Sequence, residues 1–166
     1  MIISRIRRDH VRDGFDSGDA ELDDYLRRFA RQNDERGIAV TYVATRDDEL
    51  DVLAYVTIRV GEVAHEELSE EEAKRLSRYP VPVVHLARLA VDRSVQGQRL
   101  GEKLLVFALR KVREVAEEVG VRAVEVLAKN EPAREFYRKY GFEELADDRL
   151  HLYLSMKTVR RLLDPS

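Results

Sequence analysis

The chain has 166 residues, 44% of them hydrophobic and 37% charged, with a net charge of -3; this is the size of one soluble domain with a core of its own. It holds no Cys, which excludes disulfides, Cys-ligated zinc and a thiol nucleophile, and its four His (10, 65, 85 and 151) form no pair at helical metal-ligand spacing, so no metal centre is expected. The acidic balance argues against a dedicated nucleic-acid binder, although basic clusters occur at Arg27, Arg28, Arg31 and Arg36 and at Lys74, Arg75 and Arg78, where a solvated helix face is the competing explanation.

The opening "MIISRIRRDH" is too polar for a signal peptide and no apolar run reaches membrane-spanning length, so the expected compartment is the cytoplasm and no membrane partner is expected. "FDSGDAELDDYLRRFARQ" predicts a helix with Asp19 as its cap, since Leu22, Tyr25, Leu26, Phe29 and Ala30 recur at helical spacing. "AVTYVAT" and "DVLAYVTIRV" predict two strands around the turn "RDDEL", with Val52, Ala54, Val56, Ile58 and Val60 on one face. "SEEEAKRLSR" predicts a short helix with a capping box from Ser69 to Glu72. Pro80 and Pro82 lead into the strand "VVHLARLAV".

A long helix follows, with Leu100, Leu104, Leu105, Ala108, Val112, Val115, Ala116 and Val119 as its buried stripe and Gly120 at its end. "RAVEVLA" predicts a strand, and "NEPAREFYRKYGF" a short helix with Pro132 in its first turn and Gly141 after it. "LHLYLSM" closes the sheet, with Leu150, Leu152, Leu154 and Met156 alternating. No repeat, low-complexity segment or linker interrupts the chain, so a single domain over residues 1–166 is expected, an α/β fold with one mixed sheet rather than a doubly wound parallel one.

The chemistry concentrates in "VDRSVQGQRLGEKLL". A loop running straight into a helix start exposes unpaired backbone N–H groups, and the helix dipole adds partial positive charge, which together make a site for a phosphate or pyrophosphate. Glycines there serve close approach of the anion, a positive φ, or simply packing. The loop has neither the Gly-Lys-Ser/Thr of a Walker loop nor the G-x-G-x-x-G of a dinucleotide fold.

It resembles instead the Q/R-x-x-G-x-G/A pattern of the GNAT family of N-acetyltransferases, carried here by Gln96, Gly97, Gln98, Arg99, Leu100 and Gly101. "LARLAV" is similar to that family's central strand, and "AKNEPAREFYRKYGF" to its N-x-x-A-x-x-F-Y-x-x-x-G-F segment, through Asn130, Ala133, Phe136, Tyr137, Gly141 and Phe142. The resemblance implies an α+β GNAT fold with a largely antiparallel sheet of about six to seven strands and helices on both faces. It also implies acetyl-CoA as cofactor, with the loop amides of residues 96–102, through Glu102, on its pyrophosphate. The backbone of Leu89, Ala90 and Val91 would lie along its pantetheine arm, and Asn130 and Phe136 would sit beside it. Arg99 stands where the pattern has its first Gly; the backbone N–H survives that change and a guanidinium can pair with phosphate, so what the substitution puts in question is a glycine-only torsion.

Tyr137 is the catalytic residue the resemblance implies, a phenol that protonates the departing thiolate. From spacing alone, Phe136, Tyr137 and Tyr140 read as the apolar stripe of a short helix, and Asn130 reads equally as that helix's cap. No general base stands out among His85, Glu125 and Asp92.

A narrower likeness joins "FDSGDAELDDYL", "LARLAVDRS" and "AREFYRKYGF" to the acetyltransferase toxins of toxin–antitoxin pairs. That likeness implies an aminoacyl-tRNA acceptor, a homodimer and a small antitoxin partner, with Arg88 near the acceptor end and Lys74, Arg75 and Arg78 on phosphates. A small amine or a protein N-terminus as acceptor, or a coenzyme A-binding module without catalysis, are the competing readings.

Overall fold

The computed structural model describes residues 1–76 and 78–165. Among them, seven strands, β1 (Ile2–Arg5), β2 (Val40–Thr45), β3 (Ala54–Val63), β4 (Val81–Val91), β5 (Ala123–Leu127), β6 (Glu143–Glu144) and β7 (His151–Ser155), bond in the sheet order β1-β2-β3-β4-β5-β7-β6. The β1–β2, β2–β3, β5–β7 and β6–β7 ladders are antiparallel and β4–β5 is parallel. The helices are α1 (Ala20–Arg28), α2 (Ala30–Glu35), α3 (Glu70–Arg75), α4 (Leu100–Glu118), α5 (Glu131–Arg138) and α6 (Met156–Leu163). This is the mixed, largely antiparallel α/β sheet expected. The chain divides into two compact units, Met1–Arg59 with Ala87–Ala108, and Val60–Leu86 with Leu109–Ser166.

In the first unit the Asp19 side chain caps α1, accepting the Glu21 and Leu22 amides at 3.0 and 3.2 Å. The single helix expected over 15–32 is two, because Phe29 leaves helical torsions (φ -120, ψ -31). Periodicity could not show that break: the Phe29 amide still bonds the Tyr25 carbonyl and the Asn33 amide the Phe29 carbonyl, so the apolar spacing runs through it. Strand β3 begins at Ala54 rather than Asp51, since the Val52 amide bonds the Val11 carbonyl and Asp51 bridges Val11. Both faces of β3 are buried from Ala54 to Thr57, whereas Val60 is exposed, so the single buried face expected for this strand is too simple. Strand β1, absent from the sequence reading, pairs Ile2–Arg5 with Thr45–Tyr42. Ile6, Phe15, Tyr25, Leu26, Ala30, Val43, Val52, Tyr55 and Ala90 form this unit's core.

In the second unit Ser69 caps α3 by accepting the Glu72 amide, as the capping box requires. Ser77, within the helix expected over 69–78, lies outside the described residues. Pro82 falls inside β4, where its carbonyl accepts the Arg122 amide at 2.8 Å. In α4, whose residues through Ala108 belong to the first unit, Leu100, Leu104, Leu105, Ala108 and Val112 are buried as expected, joined by Leu109, but Val115 and Val119 are exposed. Gly120 follows that helix without a left-handed torsion, unlike Gly141 after α5 at φ +97. In β7 four consecutive residues, His151 to Leu154, are buried, so both faces of the strand are covered and the alternation expected from the leucines tells half the story. β6 and the closing helix α6, capped by Ser155, were not legible from periodicity.

Candidate active site

Strand β4 delivers the chain into the loop at Val91. Asp92 then caps a single-turn 3-10 helix, Arg93–Val95, by accepting the Ser94 amide at 2.9 Å, and also takes the Asp16 amide at 2.9 Å. Burial pushes its pKa up, but these hydrogen bonds prevail and hold the carboxyl below its ordinary value. Asp92 is thus an anchor of the loop and not a free base. The Gln96 amide group donates to the carbonyls of Ser17 and Val91 at 3.1 and 2.9 Å, which fixes the loop's first residue.

Two left-handed residues follow. Gly97 has φ +82 with open space where a Cβ would stand, so its torsion is the reason for glycine. Arg99 has φ +62 and keeps, at some strain, the turn that glycine would make without it. The Arg99 carbonyl takes the first helical bond of α4, from Lys103 at 3.1 Å. Among the described residues the amides of Gly97 through Glu102 have no backbone acceptor. A loop end with free N–H groups, two left-handed turns and the positive end of a 19-residue helix has the chemistry a pyrophosphate needs.

Arg88, also in the first unit, lies over the Tyr25 ring at 3.8 Å and pairs with Glu21 at 3.5 Å. Its Nε is buried without a hydrogen-bond partner among the described residues, and it keeps part of its surface open. Tyr25 in turn stacks on Tyr55, whose hydroxyl donates to the Leu22 carbonyl at 2.6 Å, so the guanidinium rests on a rigid floor. The neighbouring basic cluster is different: Arg28 pairs with Asp24, Arg31 with Glu35, and Arg27 donates to the Phe15 carbonyl. Those charges are largely spent within the unit.

In the second unit, α5 holds Asn130, Phe136 and Tyr137 together. Asn130 caps the helix by accepting the Ala133 amide at 3.0 Å. Tyr137 is buried against the rings of Phe136 and Phe142, and burial pushes its pKa well above the ordinary phenol value. The phenol therefore stays protonated at neutral pH. Tyr140 packs on Phe136. Lys74, Arg75 and Arg78 are exposed, and Arg75 pairs with Glu71 at 3.1 Å.

One polar cluster of this unit escaped the sequence reading. Register places His85, Glu125, His151 and Tyr153 on one sheet face, His85 opposite Glu125 and Glu125 opposite Tyr153. The His85 Nδ1 hydrogen-bonds Glu125 Oε1; His151 Nε2 reaches Glu125 Oε2 at 2.5 Å, and His151 Nδ1 reaches Asp147 at 2.9 Å. Burial pushes the Glu125 carboxyl up, but the bonds from His151 and His85 outweigh it and bring it down to about 2. The Glu125 bond, against burial and with help from Asp147, raises His151 to about 9. With both nitrogens donating to carboxylates, His151 has no lone pair left for a cation. In the sequence His85 and Glu125 are two unconnected candidate bases; their partnership depends on strand register, which no local pattern encodes.

Residues 3–142 match the acetyltransferase (GNAT) family. The chain belongs to that family. It is 40% identical over 149 residues, 90% of this chain and 88% of the other, to the tRNA-acetylating toxin of Mycobacterium tuberculosis. It is similar to the structure of AtaT complexed with acetyl-methionyl-tRNAfMet (TM-score 0.89, 28% identity, 97% of this chain and 98% of that one). It is also similar to a tyrosine-to-phenylalanine mutant of the AtaT toxin bound to the C-terminus of the antitoxin AtaR and acetyl-CoA (TM-score 0.84, 26% identity, 98% of each chain). For a GNAT acetyltransferase the acyl donor is acetyl-CoA, and the free amides of residues 97–102 fit its pyrophosphate. No helix of the described residues is long and apolar enough to cross a membrane.

Proposed function

We propose that this acetyltransferase transfers an acetyl group from acetyl-CoA to the α-amino group of an aminoacyl-tRNA, in the cytoplasm, as the toxin of a pair neutralised by a small antitoxin. The observation that carries this reading is the 40% identity, over 90% of the chain, to a tRNA-acetylating toxin.

Each unit is assigned its own part. In the first, the amides of Gly97 to Glu102 bind the pyrophosphate, Arg99 adds a cation there, and the backbone of Leu89 to Val91 binds the pantetheine arm. Arg88, whose Nε lacks a hydrogen-bond partner among the described residues, takes an anionic group of the acceptor end. In the second, Lys74, Arg75 and Arg78 bind tRNA phosphates through salt-sensitive contacts. Acetyl-CoA supplies an acyl thioester that an amine can attack. An α-amino group titrates near 7.7–8.0, against about 10.4 for a lysine, and an adjacent ester lowers it further, so an aminoacyl ester arrives largely as a nucleophile. It must still lose a proton as it attacks. His85 accepts that proton at Nε2, because Nδ1 is committed to Glu125. Tyr137 holds a proton on its buried phenol for the departing sulfur.

Thiol release from acetyl-CoA, followed with aminoacyl-tRNA, a free amino-acid ester and a peptide N-terminus as acceptors, tests the reading. Fastest turnover on aminoacyl-tRNA is expected, with Tyr137→Phe lowering kcat on the order of 10²-fold or more while acetyl-CoA still binds. Preference for the ester or the peptide would favour the small-amine reading, and binding without turnover on any amine the non-catalytic one.

A further inference from the structure

We propose that His151 and Asp147 are positioning residues for the acetyl transfer: acting through Glu125, they keep the His85 ring in the tautomer, and at the charge, in which Nε2 can take the proton of the attacking amine. This rests on the assignment of His85 as proton acceptor made above.

His151 has a carboxylate at each nitrogen, Asp147 at Nδ1 and Glu125 at Nε2. A carboxylate only accepts, so both ring nitrogens donate and the ring is an imidazolium. Glu125 then has a cation on Oε2 and the His85 Nδ1–H on Oε1. In a neutral His85 this places the lone pair on Nε2, on a ring whose side chain is 24% exposed. A carboxylate alone against His85 would draw a second proton onto that ring and silence it as an acceptor. The imidazolium on the far side of Glu125 offsets the carboxylate's charge and opposes this. Asp147 supports the arrangement from behind, by favouring the charged form of His151.

Among the described residues, Glu67, Glu72 and Arg122 are charged groups beside the network. From the 3-10 turn His65–Glu67, the Glu67 carboxylate lies within 4.8 Å of the Asp147 carboxylate and the His151 ring and adds to the field favouring the imidazolium. On the same sheet face, Glu72 pairs with Arg122 at 2.6 Å and receives the Tyr153 hydroxyl at 3.4 Å, so that cluster is balanced within itself. From β3, Gly61 approaches the His85 Cβ without a charge, a Cβ built there lying 3.5 Å away.

Three substitutions give opposite signs, which a merely structural role would not. His151→Gln removes the cation and leaves Glu125 uncompensated, so the acid limb of the pH profile of kcat/KM should move up by about 1 pH unit. Asp147→Asn should move it the same way by less. Glu125→Gln removes the anion facing His85 and should move the limb down, with a lower plateau because ring orientation is lost. Imidazole NMR supplies a readout that needs no turnover: in the wild type the His85 Nε2 should be the unprotonated nitrogen, and its titration midpoint should rise in His151→Gln and fall in Glu125→Gln. Midpoints that stay in place, or move the same way in both variants, overturn the proposal. Midpoints that move as stated while aminoacyl-tRNA is not acetylated leave the network standing and overturn the function assigned to it.

Discussion

Arg99 holds a left-handed torsion at φ +62 in the middle of the loop assigned to the cofactor. An L side chain there costs roughly 1–2 kcal/mol against the right-handed regions. Glycine would relieve that strain but loses about 0.5–1 kcal/mol more backbone entropy on folding. Arg99→Gly should therefore be neutral to stabilising, by up to about 1 kcal/mol in urea denaturation, while weakening acetyl-CoA in calorimetry through the lost cation. Destabilisation together with unchanged binding would mean that the side chain serves packing instead. The sequence showed that this position departs from the family's glycine; it could not show that the left-handed turn persists, because torsion follows from the loop's anchors, Gln96 on Ser17 and Asp92 on Asp16, which lie far away in the chain. Asn130 was readable as a cap because cap and capped amide are three residues apart.

At the scale of elements, the three strands β4, β5 and β7 carry a charge network whose effect on stability has a definite sign. His151 is raised from 6.5 to about 9, so its contribution is complete below about 6.5 and is lost as the pH rises through 9. Glu125 is lowered from 4.5 to about 2, so its contribution is complete above about 4.5 and is lost as the pH falls through 2. The network stabilises most between these limits. His10 acts oppositely: burial holds it below 6.5, its Nδ1 accepts the Arg7 amide, and its contribution is lost on acidification. Comparison with His151→Gln separates the two. The gap in Tm between wild type and that variant should narrow steadily from pH 6.5 to 9, and a gap constant over that range would contradict the assignment. Elements with strong periodicity, such as α4 and β4, were legible with errors only at their ends. The missing ones have physical reasons: β6 has two residues, β1 is a short edge strand ending in Ser4 and Arg5, and α6 follows β7 with no intervening turn signal.

For the whole molecule, the order of strands and helices was enough to exclude a doubly wound sheet, and two motifs in the right order on the right elements pointed to the GNAT fold. The acceptor was the harder part. A net charge of -3 hides the distribution that matters, since Arg28 and Arg31 are paired within their own helices while Arg88, 3.5 Å from Glu21, keeps its Nε without a partner among the described residues. Only side-chain placement separates spent charges from available ones. The most direct test of the account is the mass of the aminoacyl-adenosine released by nuclease from aminoacyl-tRNA after incubation with the protein and acetyl-CoA. An acetyl group on the α-amino nitrogen, absent with Tyr137→Phe, is the predicted result; an unmodified aminoacyl-adenosine beside continuing acetylation of some other amine would contradict it.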